Sequence, residues 1–312
     1  MADAEAISRG GGARPGAFAI WFQAIRPWSL TAAVVPVLLG TAVAVRAGHF
    51  AAGRLVLALV GAMAIQAGTN LVNDYYDYLS DADTSESLGP SMVIQRGLLE
   101  PIQVWWGGIT AFALGSVLGL ILVYLCGWPI LAIGLLSVAA GYFYTAAPVA
   151  LGYAGLGELT VFLFMGPAIV VGAYYVMAFS FSWTALWASI PLGFLVAGIL
   201  HTNNIRDIES DPVHGKRTLA SALGRKGATM ELIALDAAAY LTTLVAVLAR
   251  EMPWTMLLVM LTLPRVRSQL GIVRRETEPK RLNLALFRSI QVHLEFGALS
   301  ILAFLAAALF GL

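Results

Sequence analysis

Charge is scarce in this chain: Asp, Glu, Lys and Arg make up 12% of its 312 residues, about half the share found in a soluble domain. With 59% hydrophobic residues, there is too little polar surface to cover a soluble core of that composition. Cysteine is nearly absent as well. The single Cys126 excludes an internal disulfide and a thiolate metal centre. A formal net charge of +1 gives no general attraction to nucleic acid, so no nucleic-acid partner is expected. Period-two alternation is missing too, which excludes a transmembrane β-barrel. The first 25 residues mix Asp3, Glu5, Arg9 and Arg14 with a glycine run and lack the charged-then-apolar layout of a cleavable signal. Residues 1–25 are therefore read as a flexible cytoplasmic tail, and 26–312 as a single membrane domain.

What the chain does contain is a series of apolar stretches near the bilayer-spanning length of about 20 residues. They run from Trp28 to Val45, Leu55 to Asn73, Val104 to Leu125, Ile130 to Ala147, Leu156 to Ala178, Thr184 to Asn203, Leu232 to Leu248, Trp254 to Leu270 and Leu286 to Leu312. An all-α integral membrane protein with nine transmembrane helices is expected. Pro264, near Arg265 and Arg267, is expected to shorten the eighth span. Of the 19 Lys and Arg residues, only Arg46, Arg54 and Arg250 fall on the outer side if the N-terminus is cytoplasmic. This bias follows the positive-inside rule and requires an odd number of spans. The two long polar connections, Asp74 to Ile102 and Ile205 to Met230, then lie inside. Asn73 and Asn203 end the second and sixth spans, which points to two four-helix halves plus a ninth helix.

Each of those asparagines opens an acidic stripe. Asn73, Asp77 and Asp81 are spaced i, i+4, i+8, which places them along one helix face drifting about 40° per step. Asn203, Asp207 and Asp211 repeat the spacing. Asp74 and Asp83 add charge beside the first stripe, and Glu209 beside the second. Both stripes fall where a helix ends, so the unpaired carbonyls of the last turn deepen the negative potential. Two such ends facing each other repel unless cations bridge them. Mg²⁺ suits carboxylate oxygens and keeps positions for water and phosphate, whereas the His and Cys ligands that favour zinc are missing from the stripes. Lys216 and Arg217 follow Asp211 closely. Cations beside metal-binding acids suit a phosphate ligand, which needs neutralising on the sides the metal does not reach. Arg206 and Arg26 are further candidates. The contrasting reading is a membrane transporter with the acids on its path, but transporter sites lie near the midplane rather than at one face.

The apolar remainder suits a long hydrophobic substrate that enters from the bilayer. Tyr142, Phe143, Tyr144, Tyr174 and Tyr175 offer aromatic faces to a developing cation, although membrane tyrosines also serve as interface belts. His201, inside the sixth span, is either a helix-to-helix hydrogen-bonding residue or a substrate contact.

These residues resemble the UbiA superfamily of intramembrane prenyltransferases, and within it the branch that prenylates 1,4-dihydroxy-2-naphthoate for menaquinone synthesis. The resemblance rests on Arg26-Pro-Trp-Ser-Leu30, Asn73-Asp-Tyr-Tyr-Asp77 with Asp83-Thr84 and Gly89-Pro90, and Tyr144-Thr145 with Pro148. It continues through Gly155-Leu-Gly-Glu158, Gly166-Pro167, Gly172-Ala-Tyr-Tyr175, Asn203-Asn-Ile-Arg-Asp-Ile-Glu-Ser-Asp211 and Gly215-Lys-Arg-Thr-Leu219. It thus covers nearly the whole chain. It implies a nine-helix bundle whose acidic stripes hold Mg²⁺ and the diphosphate of a polyprenyl donor. Departure of the diphosphate leaves an allylic cation that an aromatic acceptor attacks, with loss of the ring carboxylate in the naphthoate branch. By position, Asp77 and Asp207 carry the chemistry together with Tyr144. Asn73, Asn203, Arg206, Lys216 and Arg217 face the diphosphate, and Asp74, Asp77, Asp207 and Asp211 are metal candidates. Asp83 matches the branch's later Asp, while Asp81 stands where glycine is expected, so either is a candidate ligand. Met92 stands where the branch has an arginine; Arg96, four residues on, is the candidate to replace it. Other members of the superfamily use homogentisate, a hydroxybenzoate, or a lipid or pigment alcohol as acceptor.

Overall fold

The computed structural model describes residues 15–80 and 91–311. Ten helices follow one another: α1 (Ala17–Ala24), α2 (Thr31–Arg46), α3 (Ala52–Leu79), α4 (Pro101–Cys126), α5 (Trp128–Tyr142), α6 (Gly157–Ala178), α7 (Trp183–Arg206), α8 (Leu219–Leu248), α9 (Trp254–Arg275) and α10 (Pro279–Phe310). Among the described residues there is no strand. The chain is a multi-pass, all-helical membrane protein. Seven helices, α3, α4 and α6 to α10, are long and apolar enough to cross a bilayer. The two shorter apolar helices, α2 and α5, have 16 and 15 residues, about 22–24 Å at 1.5 Å per residue.

Local chemistry explains where these helices start and turn. The Glu100 backbone N–H donates to Gln103 Oε1 at 2.9 Å in a capping box, and Pro101 occupies the first turn where no N–H is needed. Ser182 and Thr218 cap α7 and α8 by accepting from Ala185 N and Ser221 N, each at 3.2 Å. Gly127, with φ 91°, is the only residue between α4 and α5; the left-handed backbone there is one that glycine adopts without a Cβ clash. The bundle then closes by packing α2 on α6 and α10, α10 on α7 and α9, α7 on α8, and α3 on α4. Leu39, Met177, Leu192, Phe296 and Phe304 fill the centre. Close approach needs small residues: a Cβ on Gly166 would lie 2.7 Å from the Cα of Gly193 on α7. That contact falls on a widened π turn, Phe164–Ala168, where Pro167 interrupts the ladder of α6.

Three features differ from the sequence reading. Part of the stretch assigned to a flexible tail is α1, with Ile20 and Ala24 buried against Leu71, Val93 and Val104. Ile20, Trp21 and Ile25 supply an apolar stripe strong enough to dock it. Residues 1–14 lie outside the described residues. Pro264 does not end the eighth span. It sits in the first turn of a regular α-helical part, Leu263–Arg275, entered from a 3₁₀ stretch, Trp254–Thr262. Finally, α3 and α10 extend beyond their apolar stretches at the polar end of the bundle, because hydropathy marks bilayer depth and not the end of the backbone hydrogen-bond ladder; α8 does so too, across a kink at Gly224, where φ is 67°.

Candidate active site

The polar helix ends meet at the mouth of a cavity of about 1830 Å³. Asn73, Asp77, Asn203, Asp207, Asp211, Arg26, Arg206 and Lys216 all line it, and so does Tyr144. Farther in, its walls become apolar: Leu57, Gly61, Leu122, Val123 and Ile130 lie well away from the acids along α3, α4 and α5.

The first stripe is helical throughout its described part. Asn73 Nδ2 donates to Asp77 Oδ2 at 2.7 Å, and the Tyr153 hydroxyl donates to Asp77 Oδ1 at 2.7 Å. Asp81 and Asp83 lie outside the described residues. The second stripe keeps helical spacing past the end of α7, because Asp207 N bonds Asn203 O at 3.1 Å and Asp211 N bonds Asp207 O at 2.9 Å. Arg206 forks onto Asp207, with Nε to Oδ1 at 2.8 Å and Nη2 to Oδ2 at 2.6 Å, while its Nη1 donates to Asn283 Oδ1 at 2.7 Å. Asn203 Nδ2 reaches Asp207 Oδ2 at 3.4 Å. Lys216 Nζ donates to Asp211 Oδ1 at 3.2 Å.

Electrostatics ties the two stripes together. Burial works against the Lys216 charge, yet Asp211, Asp77 and Asp207 outweigh it and hold the ammonium above its usual range. Carboxylates from both stripes thus act on one cation. Burial pushes the Asp211 carboxyl up to about 6, with Lys216 opposing the rise and Asp207 adding to it. Its Oδ2 is buried and has no hydrogen-bond partner among the described residues. A buried carboxylate oxygen without a donor suits a hard cation, whose charge offsets the cost of desolvation. Asp211 thus offers an oxygen suited to Mg²⁺, and Asp77 and Asp207 line the same cavity. Among the described residues, no three His, Cys, Asp or Glu side chains already form one chelating group. The oxygens of Asp77 and Asp207 face protein donors instead, so ion binding must displace or share Tyr153, Asn73 and Arg206 contacts.

Several predicted residues sit elsewhere. Asp74 is 3% exposed and does not line the cavity; Arg26 and Ser91 hold its two oxygens. Arg26, which lines the cavity, also donates to Asn73 Oδ1 at 3.2 Å, so it braces the first stripe while adopting a left-handed φ of 55°. Arg96 and Arg217 are exposed and off the cavity; the Arg217 backbone N–H donates to Tyr153 O at 3.1 Å. Met92 is buried. Tyr142 and Phe143 line the cavity with Tyr144, whereas Tyr174 and Tyr175 do not. Tyr153, Asn283 and Ser91 escaped the sequence reading because each acts through a partner far away in the chain.

Two acid-bearing helix ends at the polar end of a deep apolar cavity make an intramembrane site suited to an anionic headgroup on a hydrophobic chain. The chain belongs to the UbiA prenyltransferase family, whose model matches residues 33–291. It is 34% identical over 285 residues to a 1,4-dihydroxy-2-naphthoate octaprenyltransferase of Bacillus subtilis, covering 90% of each chain. It is 31% identical over 285 residues to a 2-carboxy-1,4-naphthoquinone phytyltransferase of Synechocystis, covering 90% of this chain and 91% of that one. The fold matches that of a UbiA homolog from Archaeoglobus fulgidus, solved bound to GPP and Mg²⁺, with a TM-score of 0.67 at 17% identity over 92% of this chain and 99% of that one.

Proposed function

We propose that this protein transfers a polyprenyl group from a polyprenyl diphosphate to 1,4-dihydroxy-2-naphthoate, in the service of menaquinone synthesis. The observation that carries it is the convergence of both acid stripes and Lys216 at the polar mouth of one long apolar cavity. The names of the relatives supply the acceptor, and the ligands of the Archaeoglobus homolog support Mg²⁺.

In this reading Asp77, Asp207 and Asp211 hold Mg²⁺, joined by Asp81 or Asp83. When bound there, the ion would supply positive charge to offset that of the departing diphosphate. Asn73, Asn203, Lys216 and Arg206 orient the diphosphate oxygens, with Arg217 and Arg96 as outer cations. The isoprenoid tail lies along the apolar walls. Tyr144 turns its ring toward the allylic carbon as positive charge develops there. The electron-rich acceptor ring attacks that carbon, and the ring carboxylate leaves as carbon dioxide. Nine spans, α2–α5 and α6–α9 as two halves with α10 added, keep the N-terminus and the acid stripes on the cytoplasmic face.

Membranes supplied with Mg²⁺, a labelled polyprenyl diphosphate and a panel of aromatic acceptors are expected to yield a prenylated, decarboxylated naphthoate product by mass. Prenylation of homogentisate or hydroxybenzoate alone would overturn the acceptor assignment. Absence of any Mg²⁺-dependent transfer would overturn the activity.

A further inference from the structure

A second polar cluster lies behind the active-site wall. Glu158, in the first turn of α6, is 6% exposed; His201 and Asn204, on α7, are 0% and 2% exposed. None of the three lines the cavity. One carboxylate oxygen, Glu158 Oε1, accepts from Asn204 Nδ2 at 2.9 Å and lies 3.0 Å from His201 Nδ1. A bare ring nitrogen and a bare carboxylate would repel at that distance, so a proton lies between them. The other ring nitrogen, His201 Nε2, is 2.9 Å from the backbone oxygen of Ala228 on α8 and 3.6 Å from Glu231 Oε2. Both edges of the imidazole are therefore fixed, one to α6 and one to α8.

The location gives the cluster its consequence. Asn203, Arg206 and Asp207, which do line the cavity, leave the same last turns of α7 on another face. Pro191 inside α7 cannot donate a backbone hydrogen bond, so the ladder lacks one bond upstream of those last turns and tertiary anchors add to what holds them. The Glu158 side also reaches Tyr144. A Cβ on Gly157 would lie 3.1 Å from the Tyr144 hydroxyl and 3.2 Å from Leu200 Cδ2, so the first turn of α6 is wedged between Tyr144 and α7.

We propose that Glu158, acting with His201 and Asn204, is a positioning residue for the transfer reaction. It sets the height and rotation at which α7 presents Asn203 and Asp207 to the first stripe, and it backs Tyr144. The inference rests on the prenyl-transfer reading for its kinetic consequence, but not for its effect on ion binding. Residues that orient metal ligands from behind contribute about 10- to 100-fold in affinity.

The test uses purified full-length protein and its E158Q variant, which keeps the volume of the side chain. Mn²⁺ binding in the presence of inorganic pyrophosphate is followed by electron paramagnetic resonance, and donor and acceptor KM are measured separately. E158Q is expected to melt near the wild-type temperature yet bind Mn²⁺ about 10-fold more weakly, with donor KM raised and acceptor KM unchanged. The double variant E158Q/H201Q, in which two amides pair across the same gap, should recover part of the loss. A folded E158Q with wild-type Mn²⁺ binding and donor KM overturns the proposal. If E158Q does not fold, N204S removes one hydrogen bond only and should weaken Mn²⁺ binding by about 3-fold; unchanged binding overturns the proposal. Wild-type protein that binds Mn²⁺ with pyrophosphate but transfers no prenyl group defeats the transfer reading and leaves this inference to stand on the binding measurements.

Discussion

At the level of single residues, the site is a set of carboxylates whose charge is balanced by named nitrogen and hydroxyl donors. Asp77 and Asp207 belong to different stripes and line the same cavity. Under the proposed mechanism, neutralising either one removes a charge from the diphosphate and Mg²⁺ site. D77N and D207N are each expected to lower kcat by about 100-fold or more with little change in melting temperature, as measured by mass detection of product and by thermal unfolding of the purified protein. Full Mg²⁺-dependent activity in both would contradict their assigned role. Tyr153 allows a finer test. Its hydroxyl is 2.7 Å from Asp77 Oδ1 and 2.8 Å from Ser80 Oγ, and its carbonyl accepts from Arg217 N, so it links the first stripe to the loop after the second. Y153F removes the hydroxyl's contacts to Asp77 and Ser80, of which the bond to Asp77 is worth roughly 1 kcal/mol, and about a 5-fold rise in donor KM is expected. Initial rates over a donor concentration series decide this, and an unchanged KM would assign Tyr153 to packing alone.

At the level of elements, hydropathy and helical spacing account for most of what was legible in the sequence. Each apolar stretch coincides with one of α2 to α10, and the i, i+4 pairs Asn73/Asp77 and Asn203/Asp207 do lie close enough to hydrogen-bond. What hydropathy missed is geometry that depends on neighbours. The π turn of α6 and the 3₁₀ stretch of α9 leave no periodic signature. The docking of α1 depends on Leu71 and Val104, which are remote in the chain. Glu158 was visible only as part of a motif, because its partners His201 and Asn204 are more than forty positions away. Small residues at helix crossings give an element-scale prediction. G166V would press a branched side chain against Gly193 and should destabilise the protein by about 1–3 kcal/mol, lowering its melting temperature. Among the described residues, nothing lies within 4 Å of a Cβ added at Gly271 on α9, so G271A should be neutral or stabilising by up to about 1 kcal/mol. Equal melting temperatures for the two variants would remove the close α6–α7 contact from the account of stability.

For the whole molecule, the question is how one bundle joins a charged reaction to a lipid-soluble chain. The acids, Lys216 and Arg206 occupy one end of the cavity, while the walls along α3, α4 and α5 are apolar. In the proposed reading, a diphosphate would sit at the polar end with its tail in the hydrophobic interior. No single segment encodes this arrangement: it arises only when α3 and α7 bring their polar ends to one side, and an even number of crossings between those ends is required. The proposed orientation puts that side in the cytoplasm, where the Lys and Arg bias favours it, and this topology is testable without activity. Val213 follows Asp211 and is 79% exposed; Phe50 lies between α2 and α3 and is 58% exposed. Because Cys126 is the only cysteine and is buried, a C126S background carrying V213C or F50C presents one thiol at a time. A membrane-impermeant maleimide added to intact cells is expected to label F50C and spare V213C, with V213C reacting once the membrane is opened. Labelling of V213C in intact cells would place the acid stripes on the outer face, away from a cytoplasmic supply of prenyl diphosphate, and would reverse the orientation of the whole bundle.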